Sequence, residues 1–171
     1  EAKGVAEGID FHLVDQATGL KLLGKIRLDG AEMVVSLAGE GDMPANLSFP
    51  GPLATKAGDH LILPYNEGIS YPVDDSTITE RDYLLFSGGN GLCMPWYGVT
   101  DGGGGWMAIV ETADDALVDM ARRDGRLELS PGWISQKGRF GYERVIRYVF
   151  FDQGGYVAMA KRYRRFAQEK G

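Results

Sequence analysis

Two stretches of this chain gather side chains suited to holding a sugar. Residues 63–72 read "LPYNEGISYP" and residues 92–106 read "LCMPWYGVTDGGGGW". Between them they carry Tyr65, Tyr71, Trp96, Tyr97 and Trp106, with Asn66, Glu67 and Asp101 close by. A pyranose has an apolar C–H face and a hydroxylated edge, so a site for it needs flat rings beside amide and carboxylate groups. Tyr and Trp supply an apolar body with a polar tip. The residues expected to touch a carbohydrate are therefore Tyr65, Asn66, Glu67, Trp96, Tyr97, Asp101 and Trp106. Glu67, Asp74, Asp75 and Asp101 also suit glycosidic chemistry in type, where one carboxyl donates a proton and another attacks or activates water. In type alone they are equally ordinary acidic loop residues, and the rings would equally fill a core or cap its end. No catalytic residue is assigned.

Other chemistries find less support. "GGNGLC" and "DGGGGW" lack the G-x-G-x-x-G spacing of a phosphate loop, and no Gly-Lys-Ser/Thr follows them. Asp74-Asp75 and Asp114-Asp115 are adjacent pairs, and neighbours on a strand point to opposite faces. An oxygen site built from Asp101 and the carbonyls of residues 102–104 is conceivable for calcium, but neither a metal nor a cofactor is expected. His12 and His60 sit in no catalytic motif, and there is no G-x-S-x-G elbow. Cys93 is the sole cysteine, which excludes an internal disulfide framework. Lying in an apolar run, it is expected in the core as a small hydrophobe. A net charge of −6 argues against nucleic acid as a partner. The basic run "KRYRR" at 161–165 reads as a solvated helix face. No apolar stretch reaches the length of a membrane span, and the first residues lack a basic region followed by an apolar one. The compartment stays open.

The elements that must position these residues are mostly strands. Glycine is abundant, 25 of 171 residues, and scattered between apolar runs as turns would be. "GLKLLGKIRLDGAEMVVSLAG" alternates on either side of Asp29-Gly30, which predicts a tight hairpin with both central residues at positive φ. Further strands are expected in "IDFHLVD", "DHLILP", "RDYLLFS" (81–87), "GLCMPWYGV" (91–99) and "GWMAIVET" (105–112). "RLELSPGWISQ" and "YERVIRYVFF" flank "KGRFG" as a second hairpin. Residues 114–122 fit either a short helix capped by Asp114 or a strand, and the strand is the reading adopted. From Gly155, apolar residues recur at steps of three and four, which predicts an amphipathic helix stopped by Gly171. The fold class is all-β, an antiparallel β-sandwich over residues 1–152 with a C-terminal α-helix over 153–171; a barrel is the alternative.

The order "LPYNEGISYPVDD", "MPWYGVTDGGGGWMAIVETADDA", "KGRFGYERVIRYVFF", "GGYVAMAKRYRRFAQEKG" resembles a bacterial glycoside hydrolase type. It is similar to the N-terminal domain of enzymes related to the α-N-acetylgalactosaminidases and endo-α-N-acetylgalactosaminidases, over about residues 60–171. The resemblance implies a galactose-mutarotase-like supersandwich whose helix leads towards a catalytic (β/α)8 barrel of the same polypeptide. It also implies that the reactive carboxylates lie on barrel strands outside these residues, so that the chain itself is non-catalytic. The loops around 63–75 and 94–106 would then face the barrel mouth and contact the carbohydrate substrate. On that reading the helix stripe is partly bare and Phe166→Ser costs little stability. A stand-alone carbohydrate-binding module and a ligand-free structural sandwich are the alternatives.

Overall fold

The computed structural model describes residues 2–43, 45–85, 91–135 and 137–171. In chain order the strands are β1 (Ala2–Val5), β2 (Gly8–Val14), β3 (Lys21–Asp29), β4 (Glu32–Asp42), β5 (Leu47–Ser48), β6 (His60–Leu63) and β7 (Ile69–Pro72). There follow β8 (Arg81–Leu84), β9 (Trp96–Thr100), β10 (Gly105–Val110), β11 (Ala116–Arg123), β12 (Arg126–Trp133), β13 (Arg139–Phe140) and β14 (Arg144–Phe151). The helix α1 (Gly155–Lys170) closes the chain. A ten-stranded sheet runs β1-β2-β3-β4-β14-β10-β9-β6-β7, with β13 on β4, and a four-stranded sheet runs β5-β12-β11-β8. Every pairing between named strands is antiparallel.

Side-chain alternation builds three layers from these elements. Leu61, Leu63, Tyr97, Val99, Ala108, Val110, Ile146 and Tyr148 of the large sheet meet Tyr83, Val118, Met120, Leu127, Leu129 and Trp133 of the small one. Their neighbours Ile62, Trp96, Met107, Ile109 and Val149 point the other way and pack with Met159 of α1. Strands covered on both faces have no polar side to display. That is why "WYGV" and "WMAIV" read as continuous apolar runs.

Helix α1 is held to this sandwich by shape and by charge. A Cβ at Gly98 would stand 2.7 Å from Met159 Sδ, so the glycine makes room for the helix over β9. Tyr163 and Phe166 also pack on this face, while Tyr156 and Val157 remain exposed; the stripe is bare only in part, and Phe166 lies in its covered part. Arg162 of α1 donates to Glu32 Oε2 at 2.8 Å, and Arg147 of β14 reaches the same oxygen at 3.0 Å. Lys170 Nζ stands 3.1 Å from Glu111 Oε2, whose Oε1 accepts from Arg147 Nε at 2.9 Å. Of the basic run, Lys161, Arg164 and Arg165 are exposed as expected, while Arg162 is drawn into this network.

Several expectations hold and others need correction. Residues 116–123 form a strand, and the helix ends at Gly171. The β3–β4 hairpin exists, but Asp29 pairs Glu32, so the turn is Gly30-Ala31 and only Gly30 has positive φ, 62°. That is the form with glycine first and one left-handed residue. "KGRFG" joins no hairpin: β12 belongs to the small sheet and β14 to the large one, while Arg139–Phe140 pairs β4. Inter-sheet burial of both flanking strands outweighs their closeness in sequence. In "GLCMPWYGV" the strand starts only at Trp96, and part of "RDYLLFS" and "GGNGLC" lies outside the described residues.

The registers also sort the connections by end. Residues 64–68, 91–95, 111–115 and 137–143 gather at one end of the sandwich. The turns at 30–31, 101–104 and 124–125 lie at the other.

Candidate functional site

The two aromatic stretches do meet. Cys93 N donates to Pro64 O at 2.8 Å, and Cys93 Sγ lies 3.6 Å from Asn66 O. The β6–β7 turn is closed by Gly68 N donating to Tyr65 O at 2.9 Å, with Asn66 in the left-handed region at φ 52°. Asparagine tolerates that conformation better than most residues. Beside this turn, on the helix face of the large sheet, is a groove of about 510 Å³. Ile62, Ile69, Ser70 and Trp96 of the strands line it, with Asn66 and Glu67 of the turn, Met94, and Tyr156 and Ala160 of α1. Tyr156 is 63% exposed and Met94 38%. The indole N–H of buried Trp96 has no hydrogen-bond partner, and the ring packs against Tyr163 at 6.3 Å between centroids.

The sequence-based candidates divide among four places. Asn66, Glu67 and Trp96 share the groove. Tyr65 packs edge-on against Tyr83 at 5.4 Å, under the guanidinium of Arg81. Tyr97 and Trp106 stand on β9 and β10, not on loops, and contact each other at 6.0 Å on the inter-sheet side. Tyr97 is 0% exposed, and burial pushes its phenol well above the ordinary value. Burial likewise pushes Tyr148 up to about 12, so neither ring is an acid or base near neutral pH. Asp101 lies at the far end, where its Oδ1 accepts from Gly103 N at 2.8 Å.

The acidic candidates serve turns. Asp74 Oδ2 accepts from Gly58 N at 2.8 Å, and Asp75 Oδ1 from Thr77 N at 2.9 Å. Two of the three carbonyls considered for calcium are engaged as well: Gly103 O accepts from Gly155 N at 2.8 Å, Gly104 O from Thr100 Oγ1 at 2.6 Å. Among the described residues no three His, Cys, Asp or Glu gather as a metal site would require. Cys93 is exposed, contrary to its expected place in the core. The chain turns outward at 91–95 before β9 begins, so the apolar run that seemed continuous is interrupted there. Glu67 is the one carboxylate among the groove's lining residues. The groove therefore lacks the acid pair that glycoside hydrolysis uses.

A second recess at the same end escaped the sequence reading. It holds about 580 Å³ and is lined by Glu40, Asp114, Lys137 and Arg139 around a fixed centre of Asp115, Tyr142 and Arg144. Arg144 is 1% exposed and donates to Asp115 Oδ2 at 2.7 Å and to Tyr142 O at 2.8 Å. Its guanidinium carbon lies 4.1 Å from the ring centroid of Phe140 and 3.8 Å from that of Tyr142. The Tyr142 hydroxyl donates to the other oxygen of Asp115. Burial, then that bond, raises the phenol's pKa. Arg144 and Asp115 are 29 positions apart, so no local spacing betrays their union.

No protein-family profile matches the chain, and no curated protein sequence is similar to it. Solved structures do match. The α-N-acetylgalactosaminidase NagBb from Bifidobacterium bifidum, in its GalNAc complex, superposes with a TM-score of 0.81 at 22% identity. The match covers 100% of this chain and 30% of that one. The sandwich has the fold of part of a glycoside hydrolase. The ligand-free form of NagBb gives a TM-score of 0.77, also at 22% identity and with the same coverage. The Slr1438 protein from Synechocystis sp. PCC 6803 is a more distant likeness, with a TM-score of 0.52 and 12% identity over 90% of this chain and 66% of that one. This chain thus spans 30% of the length of the glycosidase structures it matches.

Proposed function

We propose that this chain is a non-catalytic domain of a glycoside hydrolase, supporting a catalytic barrel of the same polypeptide and touching its carbohydrate substrate. The observation that carries this reading is the superposition of the whole chain on 30% of an α-N-acetylgalactosaminidase. The groove supports the finer part. Met94 and Tyr156 offer apolar faces to sugar C–H groups, while Asn66 and Glu67 offer an acceptor and donor set to hydroxyls. Tyr65, Tyr97 and Trp106 stiffen the sheet behind it, and Asp101 plays no part in this groove. The exposed Tyr156 and Val157 on α1 suit an apolar contact with the barrel. In this arrangement binding orients the sugar and the reactive acids come from elsewhere.

Incubating the chain with aryl α-N-acetylgalactosaminides tests the proposal. No turnover above buffer is expected; release of the aryl alcohol by the purified chain, abolished by Glu67→Gln, would make it an enzyme in its own right and refute the reading.

A further inference from the structure

We propose that the recess around Tyr142 and Arg144 is a binding site for a neutral saccharide ring, separate from the groove. The first argument is charge balance. Its lining holds three acids, Glu40, Asp114 and Asp115, and three bases, Lys137, Arg139 and Arg144. A cation site needs an acidic excess, and an anion site a basic one; this recess has neither. A neutral molecule with many hydroxyls matches such a wall, because each hydroxyl both donates to carboxylate and accepts from ammonium or guanidinium.

The second argument is the platform. Tyr142 is 38% exposed, so part of its ring surface faces solvent. The ring is fixed from beneath by Arg144 at 3.8 Å and at its tip by Asp115. A rigid aromatic face loses little freedom when an apolar C–H face settles on it. The third argument is availability. Among the described residues Glu40, Lys137 and Arg139 form no salt bridge, though they line one recess. They remain open to a ligand.

The test is amide NMR of the full chain titrated with methyl α-D-galactopyranoside and methyl α-D-glucopyranoside. Saturable shifts at Gly138, Gly141 and Tyr142 are expected, half-complete at about 1–10 mM sugar. Tyr142→Ala should weaken them by about tenfold, and Glu40→Gln or Lys137→Met by about threefold each. If Tyr142→Ala loses its dispersed spectrum, the two exposed-residue variants decide alone, and unchanged affinity in both would reject the site. Absence of shifts at 137–142 with either sugar would also reject it. So would shifts there with sodium sulfate that exceed those with sugar, since these would mark an anion site. Shifts confined to 66–70 and 94–96 would reject this recess while leaving the groove reading intact.

Discussion

Asp82 and Asp119 stand directly opposite each other on β8 and β11. Burial and the facing Asp82 raise the Asp119 pKa above its ordinary 3.8. A carboxyl that binds its proton more tightly when folded stabilises the fold most below its unfolded pKa and loses that contribution as pH rises through the folded value. Asp82→Asn should therefore stabilise the chain by about 0.2–1 kcal/mol at neutral pH, the usual size of a relieved cross-strand repulsion. The gain should fade in acid, as pH falls through the raised Asp119 value and that carboxyl takes up its proton. Urea melts at the two pH values check this, and an equal gain at both would contradict it. Arg144 poses the opposite case, a buried charge paired with a carboxylate through Nη2, although its Nε has no hydrogen-bond partner. Arg144→Met leaves the buried Asp115 without its cation, and a loss of about 3–5 kcal/mol is expected from the same melts. Residue by residue, the sequence disclosed what turn chemistry dictates. Asn66 and Glu67 sit on an exposed turn because the surrounding Pro, Asn and Gly demand one. It did not disclose whether Trp96 or Tyr97 faces the core, because a strand covered on both sides has no polar neighbour to set its phase.

Among the elements, α1 is the informative one. Its three-and-four periodicity marked its existence and its length, since that pattern belongs to the helix alone. What the periodicity did not specify was the surface that buries the stripe. Met159, at 0% exposure, and Phe166 pack on the back of β9 and β10. Phe166→Ser should therefore cost about 1–3 kcal/mol in a denaturant melt, less than a fully buried Phe because this ring is half-exposed. An unchanged midpoint would mean that the contact is idle. Gly98→Ala probes the same contact from the sheet: its Cβ would lie 2.7 Å from both Met159 Sδ and Trp106 O. Crowding of this kind costs about 1–3 kcal/mol. Loss of helical circular dichroism ahead of the main transition would show that α1 leaves first. The hairpin wrongly expected at "KGRFG" has the same origin as the missed docking surface. Both depend on which sheet a strand joins, a long-range choice that local alternation does not encode.

For the whole molecule, the all-β sandwich with one terminal helix was legible, because glycine punctuation and short apolar runs leave little else to build. The groove was legible in part, through the two stretches that Cys93 and Pro64 tie together. The polar recess was not, since its centre joins residues from two connections far apart in the chain. Fold likeness to a glycosidase over 30% of that enzyme's length is the observation on which the proposed support of a catalytic neighbour rests. If α1 carries such a neighbour, Tyr156→Asp should leave this chain's melting midpoint within about 0.5 kcal/mol of the parent, as exposed positions do. In the longer polypeptide the same change should lower activity by separating the two bodies. A large loss of stability in the isolated chain would instead assign Tyr156 to the sandwich itself.

The 64–68 turn beside the groove and the 137–143 connection of the recess lie at one end of the sheets, and the Asp124-Gly125 turn lies at the other. A strand of eight residues separates them on the small sheet, a reach of about 25 Å. With the exposed Cys93 changed to Ser, a dye, a biotin or a surface tether attached through Asp124→Cys would thus stand clear of either cavity. Immobilised that way, the molecule would present the end that holds the 64–68 turn and the 137–143 connection outward, ready for glycan arrays.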